Sequence, residues 1–134
     1  MSANAPRPIH RPLSPFWIYK LGWTMSLSGS HRVTGMLLSV GSPLFVLWLI
    51  AVAGGETAYY DYHAVLVSPF GWVVYAGFVF CIAYHLCNGL RHMTWDLGKG
   101  LDVPTAKKSG ALVVVSSLAL TALGILTPIT PVVP

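Results

Sequence analysis

The sequence predicts an all-α membrane protein with three transmembrane helices, its N-terminus inside and its C-terminus outside. Three observations carry this reading. Of 134 residues, 54% are hydrophobic and 9% are charged, against about 25% charged in an ordinary soluble domain. The apolar residues come in long blocks, each near the roughly 20 residues that cross a hydrocarbon core. All eight lysines and arginines fall on one side of a three-span arrangement.

Residues 1–23 form an N-terminal inner-side segment, rich in proline and basic groups. No short apolar core followed by a cleavage site occurs there, so the first span itself is expected to direct insertion. Span one covers residues 24–53. Its apolar heart is broken only by small residues and by Pro43, which membrane helices tolerate as a kink. Residues 54–67 read as an outer loop carrying Glu56 and Asp61 but no lysine or arginine. Tyr59, Tyr60 and Tyr62 then lie at the outer interface, where aromatic belts form. Span two covers residues 68–95, an inner loop residues 96–109, and span three residues 110–130. Ala111 to Leu126 carries no charge, and Pro128, Pro131 and Pro134 end the helical pattern.

The orientation follows from the basic residues. Arg7, Arg11, Lys20 and Arg32 precede or open span one, and Arg91, Lys99, Lys107 and Lys108 lie at or between the facing ends of spans two and three. The positive-inside rule puts both sets inside. The net charge of +4 is thus a topological signal. It is no basic run with interleaved aromatics of the kind that binds nucleic acid. Cys81 and Cys87, six residues apart on one helix, are not placed to form a disulfide and read as small buried apolar side chains. The loops are too short to hold an independent active site.

The chemistry-bearing residues are polar groups at membrane depth, whose default reading is functional because they are costly there. His85 lies inside span two. His92 and Asp96 follow at i+7 and i+11 on the same helix face, a lane running towards the inner surface. Span one enters from that surface with Ser28-Gly-Ser-His31-Arg32-Val-Thr34-Gly35, where Ser28 shares a face with His31 and Arg32. The two clusters meet at one membrane depth although about 60 residues separate them. A second reading of arginine at a span end, for Arg32 and Arg91, is snorkelling to the headgroups.

His85 is expected about 16 Å from the inner end of its helix, at 1.5 Å per residue. It admits two readings. One is a neutral histidine hydrogen-bonded to a neighbouring helix. The other is an axial haem ligand, since imidazole suits iron and haem needs an apolar slot between helices. Gly89, one turn on, would allow a macrocycle or a helix to approach. His85 and His92, about 10 Å apart along one face, cannot straddle a single iron. His31 and His92 are expected nearer the inner surface, and His63 in the outer loop. If His85 binds haem, a second histidine must come from another chain.

These motifs, Ser28-x-x-His31-Arg32-x-Thr34-Gly35 and His85-x3-Gly89-x-Arg91-His92-x3-Asp96, together with Arg11-Pro12-Leu13-Ser14-Pro15…Ile18-Tyr19, resemble the large cytochrome b anchor of succinate dehydrogenase, respiratory complex II. The resemblance spans nearly the whole chain. It implies haem b with His85 as axial ligand and a small anchor subunit supplying the opposite histidine. It implies that Ser28 and Arg32 face the ubiquinone pocket beside the iron–sulfur subunit, and that His31 and Arg32 lie near the haem propionates, where cationic donors suit carboxylates. His92 and Asp96 share the lane, with propionate contact and pocket structure both open. Trp23 is out of register with the family's tryptophan and is not assigned to the pocket.

By the same resemblance, a flavoprotein subunit oxidises succinate and iron–sulfur clusters pass electrons to ubiquinone. This chain, multi-pass in the inner (cytoplasmic) membrane and contacting lipid, anchors that machinery and performs no dicarboxylate chemistry itself. The alternatives are a quinol:fumarate reductase anchor and a haem-free channel or assembly protein. Three short spans without an internal repeat argue against a transporter. A diheme anchor needs histidines distributed over two depths.

Overall fold

A computed structural model describes residues 21–126. The N-terminal proline-rich motif, with Arg7, Arg11 and Lys20, lies outside the described residues, as do the prolines that end span three. Four helices occur in the described residues: α1 (Trp23–Ala53), α2 (Glu56–Val67), α3 (Pro69–Asp96) and α4 (Val103–Leu126). Three of them, α1, α3 and α4, are long and apolar enough to cross a membrane. The all-α, three-span reading holds.

Two differences from the sequence reading concern the connections. Residues 56–67 are helical, not an irregular loop. The turn at Gly54 and Gly55, the latter at φ 89°, reverses the chain and lets α2 fold back on α1. There the Tyr62 hydroxyl donates to the Leu44 carbonyl at 2.9 Å. The second difference is at α4, which begins at Val103 rather than near residue 110. Asp102 opens it by accepting from the Thr105 backbone N–H at 3.0 Å, an N-cap bond. Hydrogen bonds from Thr105 hold the Asp102 carboxyl below its ordinary pKa.

Each spanning helix shows a local reason for its course. Pro43 lacks an N–H and so leaves the Ser39 carbonyl without its usual helical donor. The Ser42 hydroxyl supplies one at 2.9 Å, and α1 continues unbroken. Ser68 caps α3 by accepting from the Gly71 N–H at 3.1 Å, with Pro69 in the first turn, where its missing donor costs nothing. The helix ends in a Schellman turn. Gly98 takes φ 72°, its N–H reaches the Trp95 carbonyl at 2.8 Å, and the Lys99 N–H reaches Thr94 at 3.1 Å.

Packing centres on α3, which lies against both other spans. Small residues set the approach: Gly41 of α1 receives the Phe78 ring, and Gly124 of α4 receives Val79, as expected where helices associate without a hydrophobic driving force. Leu27, Tyr84 and Val113, one from each span, form the buried core, with Cys87 and Val114 against it. Cys81 and Cys87 are free thiols. Most large apolar side chains, including Val40, Phe70 and Leu126, face outwards, as lipid-facing or subunit-facing surfaces do.

Candidate functional site

The polar residues of α1 and α3 meet, and they meet more deeply than helix rise alone implies. The His31 and His85 rings stack with centroids 3.9 Å apart and 12° between their planes. His31 also contacts the His92 ring at 5.3 Å, and His92 meets Trp95 edge-on at 5.1 Å. His31 is therefore level with His85, contrary to the expectation that it lies nearer the surface. The slide of α1 along α3 is set at Gly35. A methyl group there would stand 2.9 Å from His85 Cε1, so any larger residue would push the imidazole back from α1.

His85 is oriented by that same turn of α1. Its Nδ1 lies 3.2 Å from the His31 carbonyl oxygen and 3.4 Å from the Thr34 hydroxyl. Thr34 is itself fixed, donating to the Ser30 and His31 carbonyls at 3.0 and 2.9 Å. A carbonyl only accepts, so Nδ1 carries a proton, and the tautomer compatible with this contact has its lone pair on Nε2. This is the arrangement of a metal-binding histidine, whose second nitrogen donates to a backbone carbonyl and thereby fixes tautomer and ring direction. His31 Nδ1 is buried and has no hydrogen-bond partner among the described residues. A buried imidazole nitrogen without a partner is costly, and an acidic group of a bound cofactor would satisfy it.

The residues therefore fit a haem held on one side by His85. They do not fit a haem held between His85 and His31, the two imidazoles that the described residues bring level. Axial imidazoles approach the iron nitrogen-first from opposite faces, whereas the His31 and His85 rings lie face to face at van der Waals separation. No macrocycle fits between them. Sequence reasoning set His31 aside on depth; the structure sets it aside on ring geometry.

Ser28 and Arg32 lie one turn apart on α1, Ser28 half-buried and Arg32 exposed. Among the described residues no hydrogen bond joins them and no helix covers Arg32. Asp96, the last residue of α3, is exposed and lies beyond the ring ladder of His85, His31 and His92. Gly89, singled out as a possible close approach, makes only ordinary contact: a methyl there would stand 3.7 Å from the His31 ring. Gly35 has that role instead.

A second polar lane on α3 was not legible as such in the sequence. Tyr84, Asn88 and Arg91 are buried, Asn88 completely. Arg91 does not snorkel. Its Nε donates to the Ser109 hydroxyl at 3.0 Å and its Nη2 to the Ala106 carbonyl at 3.0 Å, both on α4. Its Nη1 reaches Asn88 Oδ1 at 3.3 Å, and the guanidinium carbon lies 4.0 Å over the Trp95 ring, a cation–π contact. The i, i+4 and i+7 spacing of Tyr84, Asn88 and Arg91 was the available signal.

Comparison with known proteins bears on this geometry. The family described as "Succinate dehydrogenase/Fumarate reductase transmembrane subunit" matches residues 7–124. The chain is 39% identical over 125 residues to the succinate dehydrogenase cytochrome b560 subunit of Sus scrofa, covering 85% of this chain and 72% of the relative. It is 34% identical over 115 residues to the cytochrome b556 subunit of Paracoccus denitrificans, covering 85% and 88%. A third relative, the cytochrome b556 subunit of Rickettsia felis, is 37% identical over 116 residues, covering 84% and 89%. With that match across nearly its whole length, and with three spanning helices carrying the polar ladder, the chain belongs to the succinate dehydrogenase/fumarate reductase transmembrane-subunit family.

Proposed function

We propose that this chain, the large membrane anchor of a succinate:ubiquinone oxidoreductase, holds haem b through His85 and contributes Ser28 and Arg32 to the ubiquinone-reduction site. The observation that carries the reading is His85, with Nδ1 committed to the His31 carbonyl and Nε2 left as a lone-pair donor. His31, with its unpartnered Nδ1, and Arg32 suit the haem propionates. The haem would supply a one-electron redox centre in the membrane. The second axial histidine comes from a small anchor subunit. Iron–sulfur and flavoprotein subunits complete the complex on the side where α1 begins and α3 ends, which the basic residues mark as the inner side.

The chain's own contribution to quinone reduction is electrostatic. Ubiquinone takes up two electrons and two protons, and its carbonyl oxygens gain negative charge on the way. A hydroxyl and a guanidinium one turn apart can donate to those oxygens. In a site closed to water by partner subunits, such donors are strongest. That Arg32 is exposed among the described residues supports a pocket shared with a neighbour.

Arg32→Leu is expected to cut succinate:ubiquinone activity about 10²–10³-fold, the usual cost of losing such a donor. Ser28→Ala is expected to raise the quinone KM. Succinate oxidation by a dye that accepts electrons upstream should survive in both. Dye and quinone reduction falling together, with all subunits bound, would refute the quinone role.

A further inference from the structure

Two lanes of α3 grip adjacent turns of α1. One is the histidine lane, where His85 faces the His31 carbonyl and Thr34. The other ends on the Leu27 carbonyl, which accepts from the Tyr84 hydroxyl at 3.0 Å and from Asn88 Nδ2 at 3.4 Å. Leu27 immediately precedes Ser28. The second lane touches none of the groups assigned to haem or quinone, and it is the more deeply buried of the two.

We infer that Tyr84 and Asn88 are positioning residues for the quinone site, acting through the Leu27 carbonyl to fix the rotation of α1 and hence the direction of Ser28 and Arg32. The inference rests on the quinone reading of those two residues.

The argument is one of constraint. A helix held at one point can roll about its axis. Held from two directions within about two turns, it cannot. The amide of Asn88 is locked in one orientation, because its oxygen receives Arg91 and its nitrogen must then point at Leu27. Arg91 is locked in turn by Ala106 and Ser109 of α4. The position of Ser28 is thus referred through Leu27, Asn88 and Arg91 to α4. Leucine at position 27 adds the apolar half of the same joint, packing with Tyr84 and Val113. Such a network is a plausible use of polar groups in a membrane core only if every member is satisfied, and here each named donor has an acceptor.

The test is a double-mutant cycle in the assembled complex, read as quinone KM and kcat, with dye reduction and the haem spectrum as controls. Tyr84→Phe removes one oxygen and keeps the packed ring. It should raise the quinone KM about fivefold, the equivalent of one net hydrogen bond, with dye reduction and the low-spin haem spectrum unchanged. Asn88→Ser should act in the same direction. Combined with Ser28→Ala, Tyr84→Phe should add little, because residues that act as a unit are not additive. A KM unchanged by Tyr84→Phe and Asn88→Ser, while Ser28→Ala raises it, overturns the inference and leaves the quinone reading intact. Fully multiplicative effects overturn it as well, as does failure of both single variants to assemble, which would make the lane a subunit anchor. Ser28→Ala without effect on KM refutes the quinone reading itself.

Discussion

Gly35→Ala is the sharpest test of how α1 holds His85. A methyl at residue 35 would stand 2.9 Å from His85 Cε1, whereas ordinary contact begins near 3.4 Å, so the ring must retreat by about 0.5 Å. Its Nδ1 lies 3.2 Å from the His31 carbonyl and 3.4 Å from Thr34. A retreat of that size takes both contacts past hydrogen-bonding distance. The loss is about 1 kcal/mol for the bond, with roughly 1–3 kcal/mol of overpacking strain added. Helix propensity pulls the other way, since alanine exceeds glycine by about 0.8–1 kcal/mol in a helix interior. The clash wins on these magnitudes. An Nδ1–H freed from its carbonyl makes the imidazole a weaker donor to iron. The haem midpoint potential should therefore rise, and haem should be lost more readily on heating. Redox titration of the b-type spectrum in the intact complex measures this. A potential and haem retention equal to wild type, or a complex made more stable by the alanine, would refute the account of Gly35.

Three further outcomes follow from the same geometry. His85→Ala should abolish or strongly alter the b-type spectrum, while His92→Ala should leave an axially ligated haem; an unchanged low-spin spectrum in the His85 variant would end its assignment as ligand. Arg91→Met should destabilise the assembled complex by about 1–3 kcal/mol, the cost of leaving a buried polar partner unsatisfied, and Arg91→Lys should not rescue it, because one ammonium cannot reproduce the fork to Ala106, Ser109 and Asn88; thermal denaturation of the complex reports both. Reporter fusions after Tyr62 and after Pro134 should read the outer side, and an inner-side signal at either would invert the orientation taken from the basic residues.

The spans were legible because hydropathy in long blocks is a strong signal. The convergence of His31 with His85 and His92 was legible because orientation fixes which helix ends share a surface. What was not legible is relative slide. Rise per residue places His31 along α1 and His85 along α3, but only packing at Gly35 decides that the two rings are level. The fate of Arg91 was hidden by a boundary. With residues 96–109 taken as loop, no acceptor stood opposite Arg91, and snorkelling remained open. Once α4 begins at Val103, the Ala106 carbonyl and Ser109 hydroxyl lie in its opening turns, within reach. The start of α4 was marked by Asp102 and Pro104, a cap and an early helical proline, but Lys107 and Lys108 made the stretch read as solvated. Helix α2 was missed because it is short, mixed in polarity and bounded only on one side by glycine.

The Arg91 network also constrains the order in which this chain is made. Leu27, the acceptor for Tyr84 and Asn88, is synthesised and inserted before α3 exists. The α4 acceptors of Arg91 come later, 15 and 18 residues downstream. At about 5–20 residues per second, α3 waits on the order of one to four seconds with a guanidinium that has no α4 partner. An arginine facing lipid costs up to about 2.5–3.5 kcal/mol at a helix centre. The short connection at residues 97–102, tightened by Gly98 and Gly100, keeps that interval brief. Helices α3 and α4 are then best delivered to the bilayer together, as a hairpin whose buried guanidinium already has its hydrogen-bond acceptors on the second arm.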